Sequence, residues 1–143
     1  VKPETQNRDK GLIFAARSER SMLDHVTIGV RDLERATTFY DAVLRPLGVI
    51  RLYADGETFA GYGTDGKAFF WIGRRDRVTT GVHVAFAAVD RATVDAFYRA
   101  ALAAGGRDNG PPGPRPQYHP DYFGAFVLDF DGHNIEAVCR SPG

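Results

Sequence analysis

The chain has one cysteine, one methionine and one tryptophan among 143 residues, and these and other scarcities exclude whole classes of protein. Cys139 has no partner for a disulfide, so an apolar core must hold the fold, and a free cysteine inside an apolar run reads as a small core residue. That usage suits a reducing compartment, and the expectation is a cytoplasmic protein. Charge of one sign is missing as well. Eighteen basic residues cancel 18 acidic ones with no Lys/Arg stripe, which removes the electrostatic footprint of a nucleic-acid binder. No apolar run approaches the ~20 residues needed to span a bilayer, so no membrane partner is expected. What remains is small-molecule chemistry or binding by one domain, for which 43% hydrophobic residues supply enough core.

Residues 1–21 differ from the rest. They are polar and charge-rich, with only Leu12 to Ala16 apolar, too short a stretch for a secretory signal. Met22 follows directly, so this segment is expected to be an expression remnant or an upstream-start extension, disordered or loosely docked. The domain is taken as 22–143.

Within it a repeat dominates. His25-Val26, Asp32, Phe39-Tyr40, Ala42, Leu44 and Gly48 recur as His83-Val84, Asp90, Phe97-Tyr98, Ala100, Leu102 and Gly106, every pair 58 residues apart. Two segments must therefore build the same local structure, in modules of about 22–79 and 80–140. Each opens with an alternating strand: Val26, Ile28 and Val30 share one face, leaving His25, Thr27 and Gly29 on the other, and the second copy sets His83, Ala85 and Ala87 opposite Val84, Phe86 and Ala88. The branched face can cover a helix, while the small-residue face, carrying histidine, leaves room for a pocket. Asp32 and Asp90 stand where N-caps belong, before apolar residues at helical spacing. Phe39, Tyr40, Phe97 and Tyr98 lie at core spacing on those helices. Pro46-Leu47-Gly48 and Gly105-Gly106 supply the stops.

Strands are expected near 49–54, 57–63 and 67–73, broken by Asp55-Gly56 and Asp65-Gly66. In the second module they fall near 107–109, 122–129 and 133–139, the last two around Asp131-Gly132. The fold class is therefore α+β: two βαβββ modules forming a curved mixed sheet with helices outside, paired within one chain or across a dimer.

The runs DHVTIGVRDLERATTFYDAVLRPLG, GVHVAFAAVDRATVDAFYRAALAAGG and DFDGHNIEAV resemble the glyoxalase, bleomycin-resistance and extradiol-dioxygenase group, the vicinal oxygen chelate superfamily. The resemblance covers Met22 to Arg140. In metal-binding members of that group the ligands come from the first and last strands of each module. The resemblance therefore implies His25, His83 and Glu136 as ligands of a divalent metal, with zinc, iron(II), nickel and manganese as the candidates. It further implies a homodimer that completes its sites near the subunit contact. The fourth corner departs from the glyoxalase pattern: aligning Asp65-Gly66 with Asp131-Gly132 sets Phe70 opposite Glu136, and a one-residue slip sets Trp71 there. Neither can ligate a metal. Two histidines and one carboxylate leave coordination positions open for a substrate with adjacent oxygens. A metal-dependent lyase or dioxygenase is the leading expectation, and a noncatalytic ligand-sequestering protein of the bleomycin-resistance type is the alternative.

The segment Gly110 to Tyr122 is the other site candidate. Arg115 offers an anion anchor, Tyr118 and Tyr122 aromatic surface, and His119 a general acid or base near neutrality. The same stretch also reads as a rigid crossover loop whose aromatics pack over the sheet. Phe70 and Trp71 could line the pocket or be core. His133, three residues before Glu136 on a period-two strand, is expected to point away as a turn or surface residue.

Overall fold

The computed structural model describes residues 22–143; the expectation for residues 1–21 lies outside the described residues. In the first module β1 (Val26–Val30) leads into α1 (Leu33–Leu44), a 3-10 turn (Arg45–Leu47), β2 (Ile50–Ala54), β3 (Phe59–Thr64) and β4 (Lys67–Arg74). The second runs β5 (His83–Ala87), α2 (Arg91–Ala103), β6 (Arg107–Pro114), β7 (Phe123–Leu128) and β8 (Asn134–Cys139). Both helices begin at the aspartates that the repeat singles out. Asp32 accepts from the Arg35 amide at 3.0 Å, and Asp90 from the Thr93 amide at 2.7 Å and its hydroxyl at 2.6 Å. A cap of this kind stabilises a helix start by about 1 kcal/mol. Gly48, at φ 74°, takes the left-handed turn that leads from the first helical segment into β2.

Each module closes its own four-stranded mixed sheet, in the orders β1-β4-β3-β2 and β5-β8-β7-β6. The first and last strands of each module run parallel side by side, and the other pairs are antiparallel. The helix-covered faces of the two sheets share one core. Phe39, Tyr40, Phe70, Phe86 and Phe97 belong to it, and the Phe70 and Phe86 rings meet edge-on at 5.2 Å across the module boundary. Burying side chains of this size contributes roughly 1.5–3 kcal/mol each. The opposite faces, with Thr27, Ala85 and Ala87, are exposed.

Two expectations need correction. The strand near 107–109 continues to Pro114, so the proline-rich stretch is half strand and only 115–122 remains a loop. Three prolines are tolerated because β6 is an edge strand, and its ladder to β7 breaks register at Asp108/Gly110 and again at Gly110/Gly113. His133 does lie in the turn between β7 and β8, but it is fully buried, not on the surface. Its Nε2–H donates to the Gly29 carbonyl at 2.8 Å.

That turn clasps the modules together. Asp129 accepts the Tyr40 hydroxyl at 2.6 Å and the amides of Asp131 and His133 at 2.9 and 2.8 Å. Asp131 accepts both the Arg31 amide and its guanidinium at 3.1 Å. Burial pushes the Tyr40 phenol well above its ordinary value and the Asp129 charge adds to the rise, so the hydroxyl stays a neutral donor.

Candidate metal and ligand-binding site

Sheet register places the candidate residues. On the face of the second module turned away from the helices, Ala85 of β5, Glu136 of β8, Phe126 of β7 and Gly110 of β6 stand in one row across the strands. Glu136 is 1% exposed. One carboxylate oxygen, Oε2, accepts from His83 Nε2 at 2.8 Å, and the other accepts the Tyr122 hydroxyl. Gly124 makes room for this, since a Cβ there would come within 3.1 Å of both Glu136 Oε1 and the Tyr122 ring. Burial, then the bonded carboxylate, raises the Tyr122 phenol to about 12, which keeps it a proton donor to Glu136 at neutral pH. The Tyr118 ring lies 5.2 Å from that of Tyr122, and the Arg140 guanidinium 5.3 Å from it.

In the first module the corresponding row is Thr27, Trp71, Gly61 and Tyr53. Thr27 and Ala85 occupy the same repeat position, so Trp71 is the counterpart of Glu136. The alignment of Phe70 with Glu136 is thereby corrected. Phe70 pairs with Val26 and points into the core, 5.1 Å from the Tyr40 ring. The cause is a bulge: Tyr62 pairs with Phe70 but Gly63 with Ala68, so β4 carries one extra residue, Phe69.

His25 stands just ahead of β1, with its side chain 54% exposed. Its Nδ1–H donates to Asp24 at 2.8 Å, and the other Asp24 oxygen accepts from Lys67 Nζ at 2.8 Å. Lys67 first, and His25 after it, hold the Asp24 carboxyl below its ordinary range. A carboxylate accepting the Nδ1 proton leaves Nε2 unprotonated with its lone pair free, an arrangement common behind metal-ligating histidines. Asp24 and Lys67 escaped the sequence reading, although an acid immediately before the repeated histidine was a visible signal.

The structure thus brings His83 and Glu136 together but leaves His25 on the other module. Among the described residues no three His, Cys, Asp or Glu side chains converge in one chain. The donors still suit a divalent cation: one imidazole faces a buried, oriented carboxylate across a single proton, and a second imidazole has its far nitrogen fixed. One chain holds the two sets of candidate donors apart, one on each module.

Loop 115–122 packs beside the His83–Glu136 pair. The Arg115 guanidinium donates to the Pro111 and Pro114 carbonyls at 2.8 and 3.3 Å and lies 5.5 Å from the Phe126 ring, next to Glu136 in the row. Tyr122 reaches Glu136 itself, a holding role that the sequence did not disclose. Tyr118 is exposed, and His119 is exposed with its Nδ1 accepting the Asp121 amide at 3.1 Å.

The repeated βαβββ modules agree with comparison to known proteins. The chain belongs to the Glyoxalase/Bleomycin resistance protein/Dioxygenase superfamily, whose family model matches residues 22–137. It is similar to a glyoxalase/bleomycin resistance protein from Albidiferax ferrireducens, with 34% identity and a TM-score of 0.74, over 85% of this chain and 100% of that one. It is also similar to a mutant of the fosfomycin resistance protein FosX from Listeria monocytogenes, complexed with Mn(II) and 1S,2S-dihydroxypropylphosphonic acid. That likeness is 25% identical with a TM-score of 0.62, over 82% of this chain and 88% of that one. FosX from Mesorhizobium loti shares the fold at 24% identity and a TM-score of 0.62, over 83% of this chain and 92% of that one. No curated protein matches the chain.

Proposed function

We propose that this protein is a metal-dependent small-molecule enzyme, acting as a homodimer in which His25 of one subunit completes the His83–Glu136 half-site of the other. The observation that carries this reading is the state of Glu136: a nearly buried carboxylate, held by Tyr122 on one oxygen and facing His83 on the other. An acid desolvated to this degree needs partners, and a divalent cation would displace the proton between His83 and Glu136. The open faces on which both half-sites lie suit a second copy as the source of the third donor. The relative crystallised with Mn(II) and a dihydroxy acid supports a ligand with adjacent oxygens.

A bound divalent cation supplies Lewis-acid stabilisation of negative charge on such oxygens. The protein's own groups do the rest. Tyr122 fixes the carboxylate, Asp24 fixes the His25 ring, and Arg115 beside Phe126 offers positive charge to an anionic substituent. His119, on the rim, is the candidate to carry a proton. Trp71 occupies the corner where a second carboxylate would act as a base, which disfavours proton transfer of the glyoxalase I kind and keeps noncatalytic sequestration as the second reading.

Calorimetric titration of untagged protein with manganese, nickel, zinc and iron(II) tests the proposal. Wild type should bind one ion per subunit, and Glu136→Ala and His83→Ala should each weaken binding by at least about 10-fold, the scale of losing support or donors at a metal site. Equal affinity in wild type and variants would reject the site.

A further inference from the structure

Where the second module is acidic, the first is aromatic. Beside the row Thr27–Trp71–Gly61–Tyr53 runs a second, Gly29–Gly73–Phe59. Two of the three glycines in these rows, Gly61 and Gly73, are covered by rings from neighbouring strands. A Cβ at Gly61 would lie 2.7–2.8 Å from three atoms of the Trp71 indole, and one at Gly73 would lie 2.7 Å from the Phe59 ring. Carbons in nonbonded contact stay ~3.5 Å apart or more, so the indole and the phenyl ring lie against bare backbone instead of standing up from the sheet. The Tyr53 ring sits 5.5 Å from the indole, tilted by 50°. Together with His25, Thr27 and Ala68 these rings bound a cavity of about 480 Å³. Behind its Phe59 wall Arg75 lies over Gly29 and Gly73 and approaches the Phe59 ring at 5.2 Å; one guanidinium nitrogen donates to the Arg74 carbonyl at 2.9 Å, and the group forms no ion pair among the described residues.

We infer that this face is a stacking platform and that the natural ligand carries a planar aromatic ring, seated on Trp71 between His25 and Arg75. Three features converge on this. A recumbent indole offers its π-face to the cavity, and stacked or edge-on aromatic contacts add to simple apolar burial. Tyr53 makes a second wall at an angle that suits an edge-to-face contact. Arg75 places positive charge where a ring substituent such as a carboxylate would project. A small aliphatic ligand would leave most of the cavity and both rings uncovered. The inference rests on the proposed function only in assigning the oxygens of the ligand to the His25 end.

The single tryptophan makes the test direct, because the indole N–H gives one resonance in a ¹H–¹⁵N spectrum and it belongs to Trp71. The full chain, labelled with ¹⁵N and held in EDTA, is titrated with benzoate and, separately, with cyclohexanecarboxylate, which matches it in charge and ring size but is puckered and saturated. Benzoate should shift the indole resonance saturably and bind about 10-fold more tightly than its saturated counterpart, the scale of an aromatic contact beyond area burial. Trp71→Leu, followed by calorimetry, should lose that preference. Equal binding of the two acids, an unchanged preference in Trp71→Leu, or no saturable shift with benzoate would overturn the inference. Metal-free conditions separate it from the proposed function: benzoate binding without metal affinity keeps the platform and removes the metal site, and metal affinity without an indole shift does the reverse.

Discussion

Trp71 and Glu136 occupy the same place in the two modules: each lies opposite the third residue of its repeat's opening strand segment, Thr27 in one case and Ala85 in the other. One module has a carboxylate there and the other an indole. The two halves of the molecule therefore differ in surface chemistry, with charge on one face and aromatic surface on the other.

Restoring the acid should restore a ligand. Trp71→Glu places a carboxylate beside His25 as Glu136 lies beside His83, and metal affinity should rise by about 10-fold or more, for one added charged donor. The neighbouring change acts in the opposite way. Phe70 has no exposed surface, so Phe70→Glu buries an unpaired acid and removes a core ring, lowering stability by at least about 3 kcal/mol. Metal calorimetry of the first variant and urea unfolding of the second check both. Tighter metal binding by Phe70→Glu would contradict the register.

If the third ligand comes from a second subunit, defective chains should complement one another. His25→Ala and Glu136→Ala each lack a ligand for every site in their own homodimers. When the two are mixed and allowed to exchange, a heterodimer regains one complete site and concentrates both defects in the other. Random pairing in a two-fold dimer then returns about a quarter of the wild-type metal capacity. Light scattering checks the dimer and metal titration the recovery, and a mixture that binds no better than its components would rule out sharing.

Tyr122 should leave a signature at alkaline pH. Its phenol titrates at about 12 in the folded chain against 10.0 ordinarily, so the folded state holds the proton more tightly across that window. A group that keeps its proton on folding contributes stability that is fully present below the unfolded value and is lost as pH climbs through the folded one. Tyr122→Phe should be less stable than wild type at pH 8, because it strands a buried Glu136 oxygen, and the gap should narrow as pH rises from 10 toward 12. Tyr40 and Tyr62, whose phenols burial also raises, lower the stability of both proteins alike. Urea midpoints measured against pH decide it, and a constant gap would show that the Tyr122–Glu136 bond contributes nothing.

Much of this was legible in the chain. The fixed spacing of His25 and His83, the capping aspartates and the strand alternation each express a local rule, and local rules survive folding. Three features were not legible, for one shared reason. The bulge at Phe69 shifts β4 by one residue, the prolines of β6 signal a loop because an edge position cannot be seen in sequence, and the Gly29 carbonyl of the other module turns His133 inward. All three depend on which strand lies beside which. The candidate ligands follow the same pattern: Glu136 meets His83 because β5 and β8 are neighbours, while His25 precedes β1 of the other sheet.

The aromatic face offers a last test that leaves every chemically active side chain in place. Gly61 has ordinary backbone angles, so alanine is allowed there conformationally, but its Cβ would meet the indole at 2.7–2.8 Å. The rigid strand cannot yield as easily as the side chain, so Gly61→Ala should lift Trp71 off the sheet and into the cavity. Stability should fall by about 1–3 kcal/mol, the usual cost of overpacking, moderated because Trp71 is partly exposed and can swing. The indole, pushed outward, should emit at longer wavelength, and benzoate should lose its advantage over cyclohexanecarboxylate while metal affinity at His83 and Glu136 is unchanged. Fluorescence, unfolding and the paired titrations give three independent readings. If alanine leaves the emission and the preference as they were, the indole does not lie where the platform requires it.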